Sequence, residues 1–439
     1  MLRLESFVFS VLVMAMSLAF SGQQQPRASA APSLTINGVT LIDGSGVASR
    51  QGASLVVRGG RVAEILTASA GGSTSTDLVL NARDLVAIPG LIDAHVHISG
   101  MPWQQRTDEL RRVLYGGVTA IYDLAGDVRN TSDLSRAALA GEIESPTIYY
   151  TALMAGPEFF TDPRVLSSSL GFKPGEAPWN QRIMANTDLV QAVAAARGAG
   201  ATALKLYAAL DASTVLRIAE EAKRQGLRLV AHGTVFPAKP SDLVAAGVNV
   251  LAHAAYLVWE GSPASTEFQK RARGDFAGVP PNSPAIEKLL QSMRDKDVTL
   301  NPTLWIFADG PAKDDLAGVR TPWMNAVTHR AQELGVTIAA GTDSMMAATG
   351  DPLPTLHREL EALVSGAGLT PMQALVAATR GAAHAIGVDA DRGTLEVGKV
   401  ADIVLLDANP LSDIRNTRRI RYVIKDGRIV YQAPAGRSK

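Results

Sequence analysis

The middle of the chain alternates short β-type runs with alanine-rich helical stretches, and this alternation repeats eight times. Several of the helical stretches close on glycine, as helices often do. Eight strand–helix units predict an α/β fold, a closed TIM-like (β/α)8 barrel. An open doubly wound sheet is the alternative, but no glycine-rich phosphate loop follows any run. The eight runs are LIDAHVHI, TAIYDLA, PTIYYTA, TALKLYA, LRLVAHG, VNVLAH, VTLNPTL and VTIAAGTDS.

The two ends of the chain resemble each other and differ from the middle. Both carry short runs of alternating residues that are broken by glycine-containing turns. We therefore predict one small β-sandwich domain built from residues 31–88 and 391–439, with the barrel over residues 89–390. A segment rich in proline, glycine and serine, residues 157–186, follows the third run and is expected to cover the barrel mouth.

The first thirty residues are predicted to be a signal peptide rather than part of the fold. Arg3 supplies the positive start, residues 7–20 are apolar, and Ala28-Ser29-Ala30 resembles a cleavage site. The apolar run is shorter than the roughly 20 residues that span a bilayer, although an uncleaved anchor stays open. We therefore expect a periplasmic or secreted protein, with no membrane association after cleavage.

The composition excludes several classes of function. Lys+Arg and Asp+Glu are equal at 42 each, so a nucleic-acid partner is not expected. The chain has no cysteine, which excludes disulfides, thiolate metal sites and a cysteine nucleophile. The expected partner is a small-molecule substrate, and assembly into a homo-oligomer stays open.

Two histidines stand two residues apart at the end of the first run, in the sequence IPGLIDAHVHIS. Alternate side chains of a strand point to the same side. We therefore expect Asp93, His95 and His97 to share one face, with the apolar residues Ile92, Ala94, Val96 and Ile98 on the other. The chain has only seven histidines, so this pair requires an explanation.

Further polar residues lie at the ends of other runs, where a barrel collects its chemistry. Taken singly, His253 is an ordinary core histidine and Asp343 a helix cap. Lys205 is harder to explain, because an unpaired charge inside a barrel is costly. Taken together, the set predicts a metal site. The candidate ligands are His95, His97, Lys205, His232, His253 and Asp343.

Imidazole nitrogens and carboxylate oxygens suit zinc, and two adjacent zinc ions can share a bridging group. An ammonium group has no lone pair with which to bridge them. If carbon dioxide adds to the neutral amine of Lys205, the resulting carbamate offers one oxygen to each metal. The expected cofactors are therefore two Zn²⁺ ions and a CO₂-derived carbamate on Lys205.

With these residues the chain resembles the amidohydrolase superfamily, in its two-metal branch with a carboxylated lysine. The matching pieces are PGLIDAHVHI, the lysine in ALKLY, two single histidines, GTDS and LEVGKVADIVLLD. The resemblance implies that His95, His97 and Asp343 bind the more buried metal, and His232 and His253 the more exposed one. It also implies that Lys205 bridges the metals and that Asp343 is catalytic, taking the proton from the attacking water.

The resemblance implies hydrolysis of a linear amide, of the dipeptide or N-acyl amino acid type, by a metal-bridging hydroxide. Ochratoxin-type amidases belong to the same set. A lactonase or esterase is the close alternative. Single-metal deaminases and imidazolonepropionase-like enzymes resemble parts of the chain, but Lys205 argues against them, and no acidic residue follows His232 closely. A catalytically silent, ligand-binding barrel is the alternative outside the enzymes.

Two residues are candidates for substrate binding. Tyr207 lies on the predicted face of Lys205, one step nearer the mouth, where it would donate a hydrogen bond to a carbonyl or simply pack. His357 follows the eighth run and either reaches the site or lies on a helix surface. No arginine or lysine stands out as a partner for a substrate carboxylate.

Overall fold

The computed structural model of the protein describes residues 33–67, 78–98, 102–263, 270–346 and 351–434. The predicted signal peptide lies outside these ranges, as do the last residues of the predicted sandwich. No helix in the described ranges combines the length and the apolar character needed to cross a bilayer.

Seven parallel strands form the wall of a barrel, each joined to the next by hydrogen bonds. They coincide with the first seven predicted runs. Their bounds are β6 (Leu91–Val96), β7 (Val118–Asp123), β8 (Thr147–Ala155), β11 (Ala203–Leu206), β12 (Arg228–His232), β13 (Val250–Ala252) and β14 (Thr299–Asn301).

The eighth predicted run closes the barrel without forming a regular strand. On one side it makes a single parallel bridge, between Ile338 and Leu300 of β14. On the other side it bonds to β6, where Ala94 N donates to Ala340 O at 3.0 Å and Asp343 N to His95 O at 2.8 Å. The α/β barrel prediction is therefore confirmed, with an irregular extended segment in the eighth position.

The predicted alternation along β6 is wrong in part, because the strand is irregular. Its pairing with β7 joins Asp93 to Ile121 and Val96 to Asp123, so three steps on one strand match two on the other. Such a bulge reverses which face the following residues occupy. Ile92 and Ala94, which precede Val96, lie in one interior cluster with residues of five other barrel segments. Val96 and Ile98 instead belong to the core between barrel and helices.

Helices cover the outside of the barrel and bury one apolar face each. In α5, for example, Asp211 caps the first turn by accepting a hydrogen bond from Thr214 N at 2.7 Å, and the buried residues recur at helical spacing. The outer helices are α1 (Trp103–Tyr115), α2 (Val128–Leu139), α4 (Leu189–Gly198), α5 (Ala212–Arg224), α6 (Pro240–Ala246), α7 (Pro284–Asp295), α8 (Leu304–Ala308), α9 (Ala317–Glu333) and α10 (Leu356–Ser365).

A helical stretch after α10 closes the floor of the barrel. It comprises α11 (Pro371–Val376), a π-helical turn (Ala377–Gly381) and α12 (Ala382–Ile386). Three alanines and Ile386 of this stretch share the interior cluster with Ile92, Val230 and Val250. Small side chains allow the helix to approach the strand ends closely, so the end of the barrel opposite the predicted site is apolar and packed.

Strands from both ends of the chain form the second, eight-stranded β-structure, a sandwich with a separate apolar core. Leu34, Leu55 and Ala87 from the first part contact Leu405 and Ile424 from the last part within that core. The strands are β1 (Leu34–Leu41), β2 (Arg50–Arg58), β3 (Arg61–Leu66), β4 (Leu78–Asn81), β5 (Val86–Pro89), β15 (Ile403–Leu406), β16 (Ile420–Lys425) and β17 (Arg428–Gln432).

The segment after β8 folds beside the predicted site. It contains a 3-10 turn (Pro157–Thr161), α3 (Pro163–Ser168), β9 (Glu176–Ala177) and β10 (Asn180–Arg182). β10 pairs with the end of β8. The ring of Phe159 lies 4.6 Å from that of Tyr207, whose ring lies 4.6 Å from that of His232. The segment after β8 therefore contacts Tyr207, which itself lies against His232.

Candidate active site

The structure brings the predicted ligands together at one end of the barrel. His95 and Lys205 lie within β6 and β11, His232 ends β12, and His253 directly follows β13. The ring centroid of His95 lies 5.3 Å from that of His97 and 5.0 Å from that of His253. His253 and His232 are 4.7 Å apart. The four histidines thus form one continuous group.

Asp343 completes a three-residue cluster with the first pair of histidines. Its Oδ1 lies 3.2 Å from Nε2 of His95 and 2.9 Å from Nε2 of His97. One ligand atom from each of the three residues lies within 4.8 Å of the others. The His95 side chain is 1% exposed, whereas those of Asp343 and His97 are 24% and 39% exposed. The cluster therefore reaches from the barrel interior to the open mouth.

The hydrogen bonds of the two histidines fix which ring nitrogen faces the cluster. Asn301 Nδ2 donates to Ala339 O at 2.8 Å, so its Oδ1 is the atom that accepts from Nδ1 of His95, at 2.9 Å. Nδ1 of His97 lies 3.2 Å from Ala125 O, which can only accept. Both imidazoles therefore carry a proton on Nδ1, and Nε2 of each ring faces Asp343.

A cation fits this arrangement of lone pairs. Burial lowers the pKa of His95 to about 4, so its ring is neutral at neutral pH. Burial disfavours the charge of Asp343, but the adjacent imidazoles of His95 and His97 hold the pKa of its carboxyl well below the usual value. Two nitrogen lone pairs and a carboxylate oxygen so close together repel one another unless a proton or a metal ion lies between them. His95, His97 and Asp343 can thus hold a metal.

Lys205 lies fully buried among these groups, 0% exposed, and its Nζ has no hydrogen-bond partner among the residues that the structure describes. Burial lowers its pKa to about 7, against the opposing effect of the Asp343 carboxylate. A substantial fraction of the amine is therefore neutral at neutral pH, which is the form that can react with carbon dioxide. An orphaned buried amine is costly, and conversion to a carbamate beside metal ions would remove that cost.

His232 and His253 form the second half of the group. Nδ1 of His232 lies 2.9 Å from Thr234 Oγ1, and Nδ1 of His253 lies 2.9 Å from Thr303 Oγ1. Burial lowers the pKa of each imidazole well below its usual value. Neutral, oriented imidazoles are the form that binds metal ions. These two side chains can hold a second metal beside Lys205.

Several residues of the site were missed by the sequence analysis. Asn301, Thr303 and Thr234 orient the imidazoles, and their signal was visible as polar residues at run ends, in NPT and HGT. Gly341 is required because an added Cβ would lie 2.4 Å from Asn301 Nδ2 and 2.8 Å from His95 Cβ. Asp93 was expected beside the histidines, but its carboxylate bonds to the closing segment instead.

Aromatic side chains surround the second pair of histidines. The Tyr207 ring lies 4.6 Å from that of His232, so the tyrosine is at the site as predicted from its strand face. Tyr256, in the 3-10 helix Ala254–Glu260, lies 4.9 Å from His232 and 5.4 Å from His253. Phe307 lies 5.8 Å from His253. The site therefore combines metal-ligating groups with an apolar, aromatic wall.

His357 does not fit the substrate-binding interpretation. It is fully buried in α10, and both ring nitrogens are occupied: Nδ1 lies 2.9 Å from Thr417 Oγ1 and Nε2 lies 2.9 Å from Gly116 O. Gly116 follows α1 and precedes the start of β7, and Thr417 belongs to the C-terminal part of the chain. His357 therefore connects the barrel to that part and has no ring nitrogen left for a substrate.

The comparisons with known proteins agree with this geometry. The model of the amidohydrolase family matches residues 86–430. An ochratoxinase from Aspergillus niger is 25% identical over 399 residues, covering 78% of this chain and 75% of that protein. The crystal structure of a putative prolidase from Bifidobacterium longum superposes with a TM-score of 0.69 at 25% identity, covering 92% of this chain and 95% of the other. An imidazolonepropionase from Symbiobacterium thermophilum is 42% identical, but over only 94 residues, 21% of this chain and 22% of that protein.

The chain therefore belongs to the amidohydrolase family and is a hydrolase that acts on amide bonds. The resemblance seen in the sequence is confirmed at the level of the superfamily. A hydrolase of this family does not agree with the alternative of a catalytically silent, ligand-binding barrel. The similarity to imidazolonepropionases is local and does not extend along the chain.

Replacing His357 tests its structural role. In His357→Leu, Gly116 O loses its buried partner, at a cost of about 1–3 kcal/mol, and Thr417 Oγ1 keeps only its bond to Ile414 O. We expect a lower melting temperature and an unchanged KM in the folded fraction, measured by thermal denaturation and steady-state kinetics. His384→Leu is the control, because His384 is partly exposed between Asp297 and Asp389 and should lose less stability. A raised KM at unchanged melting temperature would restore the substrate-binding interpretation.

Proposed function

We propose that the protein is an exported, zinc-dependent amidohydrolase that cleaves a linear amide bond of a dipeptide or an N-acyl amino acid. The observation that carries the proposal is one juxtaposition: the buried amine of Lys205, which has no hydrogen-bond partner within the described part of the chain, lies close enough to Asp343 and the histidines to influence their pKa values. This donor set has nitrogen and oxygen ligands for two zinc ions, with a reactive amine between them.

His95, His97 and Asp343 would hold one metal, and His232 and His253 the other. A carbamate on Lys205 would be a ligand to both metals. When bound, the metal pair supplies hydroxide near neutral pH and polarises the carbonyl that is attacked. The neutral imidazoles and the anionic Asp343 are already in the protonation states that such binding needs.

Asp343 is the proton-transfer group of the proposal. Its side chain is partly exposed, and Nε2 of His95 and Nε2 of His97 lie 3.2 and 2.9 Å from its Oδ1. It can accept a proton from the attacking water and return it to the leaving nitrogen, which makes amine departure possible. No nucleophilic serine or cysteine is needed for this route, and the chain has no cysteine.

The proposed substrate class rests on the relatives and on the site wall. Similarity along most of the chain is to an ochratoxinase and to a putative prolidase, whereas similarity to imidazolonepropionases covers about a fifth of it. The rings of Tyr207, Tyr256 and Phe307 lie 4.6 to 5.8 Å from those of the histidines, so an apolar group of the substrate bound there would contact aromatic side chains.

Export is proposed from residues 1–30, whose charged start, apolar stretch and small-residue end follow the pattern of a secretory signal. A periplasmic or secreted hydrolase of dipeptides or N-acyl amino acids would act on material taken from outside the cell.

A substrate screen tests the proposed reaction. The zinc-loaded enzyme is assayed against dipeptides and N-acyl amino acids by detecting the released amine, with matched esters and lactones beside them. We expect amides to be cleaved with a higher kcat/KM than the esters and lactones, and the activity to disappear when a chelator removes zinc. A preference for lactones, or activity that survives complete metal removal, would refute the proposal.

Lys205→Ala removes the amine that would form the bridge. We expect the zinc content to fall below the roughly two ions per chain of a two-metal site, with loss of activity and no recovery on adding bicarbonate. The zinc content of each protein is measured by elemental mass spectrometry. Lys223→Ala, which replaces an exposed lysine on α5, is the control. Unchanged zinc content and full activity in Lys205→Ala would exclude the bridging role.

Asp343→Asn keeps the shape of the side chain but removes its basicity. Since proton transfer contributes about 10²–10⁴-fold, we expect kcat to fall by that factor while the fold is retained. The measurement is kcat on the best substrate of the screen, with circular dichroism to verify folding. Asp295→Asn, an exposed substitution at the end of α7, should leave kcat unchanged. A kcat within a few-fold of the unmodified enzyme would contradict the assignment.

A further inference from the structure

Arg320 is a fully buried arginine that the proposed reaction does not use. It lies in the first turns of α9, and its exposed fraction is 0%. Burying a guanidinium is costly unless hydrogen bonds and an opposite charge compensate it. The hydrogen-bond partners of the guanidinium therefore indicate which part of the structure Arg320 stabilises.

Within the described residues, the guanidinium bonds to the end of α8 and to the connection between α8 and α9. Nη1 donates to Asp314 Oδ2 at 2.9 Å, and Nη2 donates to Ala312 O at 3.2 Å and to Phe307 O at 3.5 Å. Asp314 also accepts from Leu316 N at 3.0 Å, just before α9 begins. One buried side chain thus binds the segment at three points within eight residues.

The guanidinium also packs on an aromatic ring of the same segment. Its Cζ lies 4.9 Å from the centroid of the Phe307 ring. A planar guanidinium combines forked hydrogen bonding with stacking on a ring, which a lysine cannot do. Arg320 therefore fixes both the backbone carbonyl and the ring of Phe307.

The ring of Phe307 also lies close to two residues of the candidate active site. Its ring lies 5.8 Å from that of His253 and 5.6 Å from that of Tyr256. Tyr256 in turn lies 4.9 Å from His232. Phe307 is thus placed between a buried charge and the second pair of histidines.

We propose that Arg320 is a positioning residue that holds Phe307 as the apolar wall of the substrate pocket beside His253. This inference rests on the proposed amide hydrolysis for the meaning of the pocket. Arg320 acts through Phe307, which would contact an apolar or aromatic group of the substrate next to the amide bond. The arginine thereby sets a preference for substrates that carry such a group.

The test compares Arg320→Lys, Phe307→Ala and the control Arg330→Lys. Arg330 lies on the same helix and forms an ion pair with Glu287 at 2.6 Å, but on the partly exposed side. The substrates are the best-cleaved amide with an aromatic side chain and its alanine counterpart. We expect both pocket variants to raise KM for the aromatic amide roughly 10- to 100-fold, the range for a lost apolar contact. For the alanine amide, we expect KM and kcat to stay close to those of the unmodified enzyme.

Hydrogen–deuterium exchange gives a second readout that needs no activity. Arg320→Lys should increase exchange in peptides covering residues 304–316, whereas Arg330→Lys should not. Equal losses on both amides, or unchanged exchange in this segment, would overturn the inference. If the unmodified enzyme cleaves no amide at all, the proposed function fails, while the exchange measurement still decides whether Arg320 holds the segment.

Discussion

The closure of the barrel depends on one buried carboxylate, that of Asp93 in β6. It accepts hydrogen bonds from His95 N at 3.1 Å, from Thr342 N at 3.1 Å and from Thr342 Oγ1 at 2.8 Å. The two bonds from Thr342 join the first strand to the irregular eighth segment, where a regular ladder is absent. Asp343 directly follows Thr342, so the same contact places that carboxylate against the two histidines of β6.

Burial gives the site its chemistry. The interior below the histidines is filled by apolar side chains of six barrel segments and of α12, which excludes water from that end. In such surroundings the charged forms are disfavoured, so the pKa of His95 falls to about 4 and that of Lys205 to about 7. The same desolvation therefore favours the neutral imidazole of His95 and the neutral amine of Lys205.

The loops supply the side chains that can differ between proteins with this barrel and different substrates. The ligand group depends on strand ends, whereas the rings around it come from connections: Phe159 after β8, Tyr256 after β13 and Phe307 after β14. Proteins of the same fold can keep the metal-binding group and change these rings. This agrees with relatives whose names indicate different substrates, an ochratoxinase and a putative prolidase, at 25% identity.

Local patterns in the sequence predicted the strand–helix alternation, the two-ended β-domain and the polar residues at the strand ends. These are properties of neighbouring residues, and periodicity and residue type report them directly. The structure was needed to show that Ile92 and Ala94 lie in a different cluster from Val96 and Ile98, because the irregular pairing between Asp93 and Val96 breaks the simple alternation. It was also needed to place His357 in a structural contact.

The remaining features depend on residues far apart in the chain. His95 and Asn301 are 206 positions apart, and Asp93 and Thr342 are 249 apart. The role proposed for Arg320 likewise depends on its contact with Phe307. That contact bears on the site because Phe307 lies against His253 and Tyr256. The sequence by itself determined which groups can bind metals and on which strands they lie. Only the tertiary structure decided how they are oriented, since packing and hydrogen bonds between distant segments set the direction of each side chain.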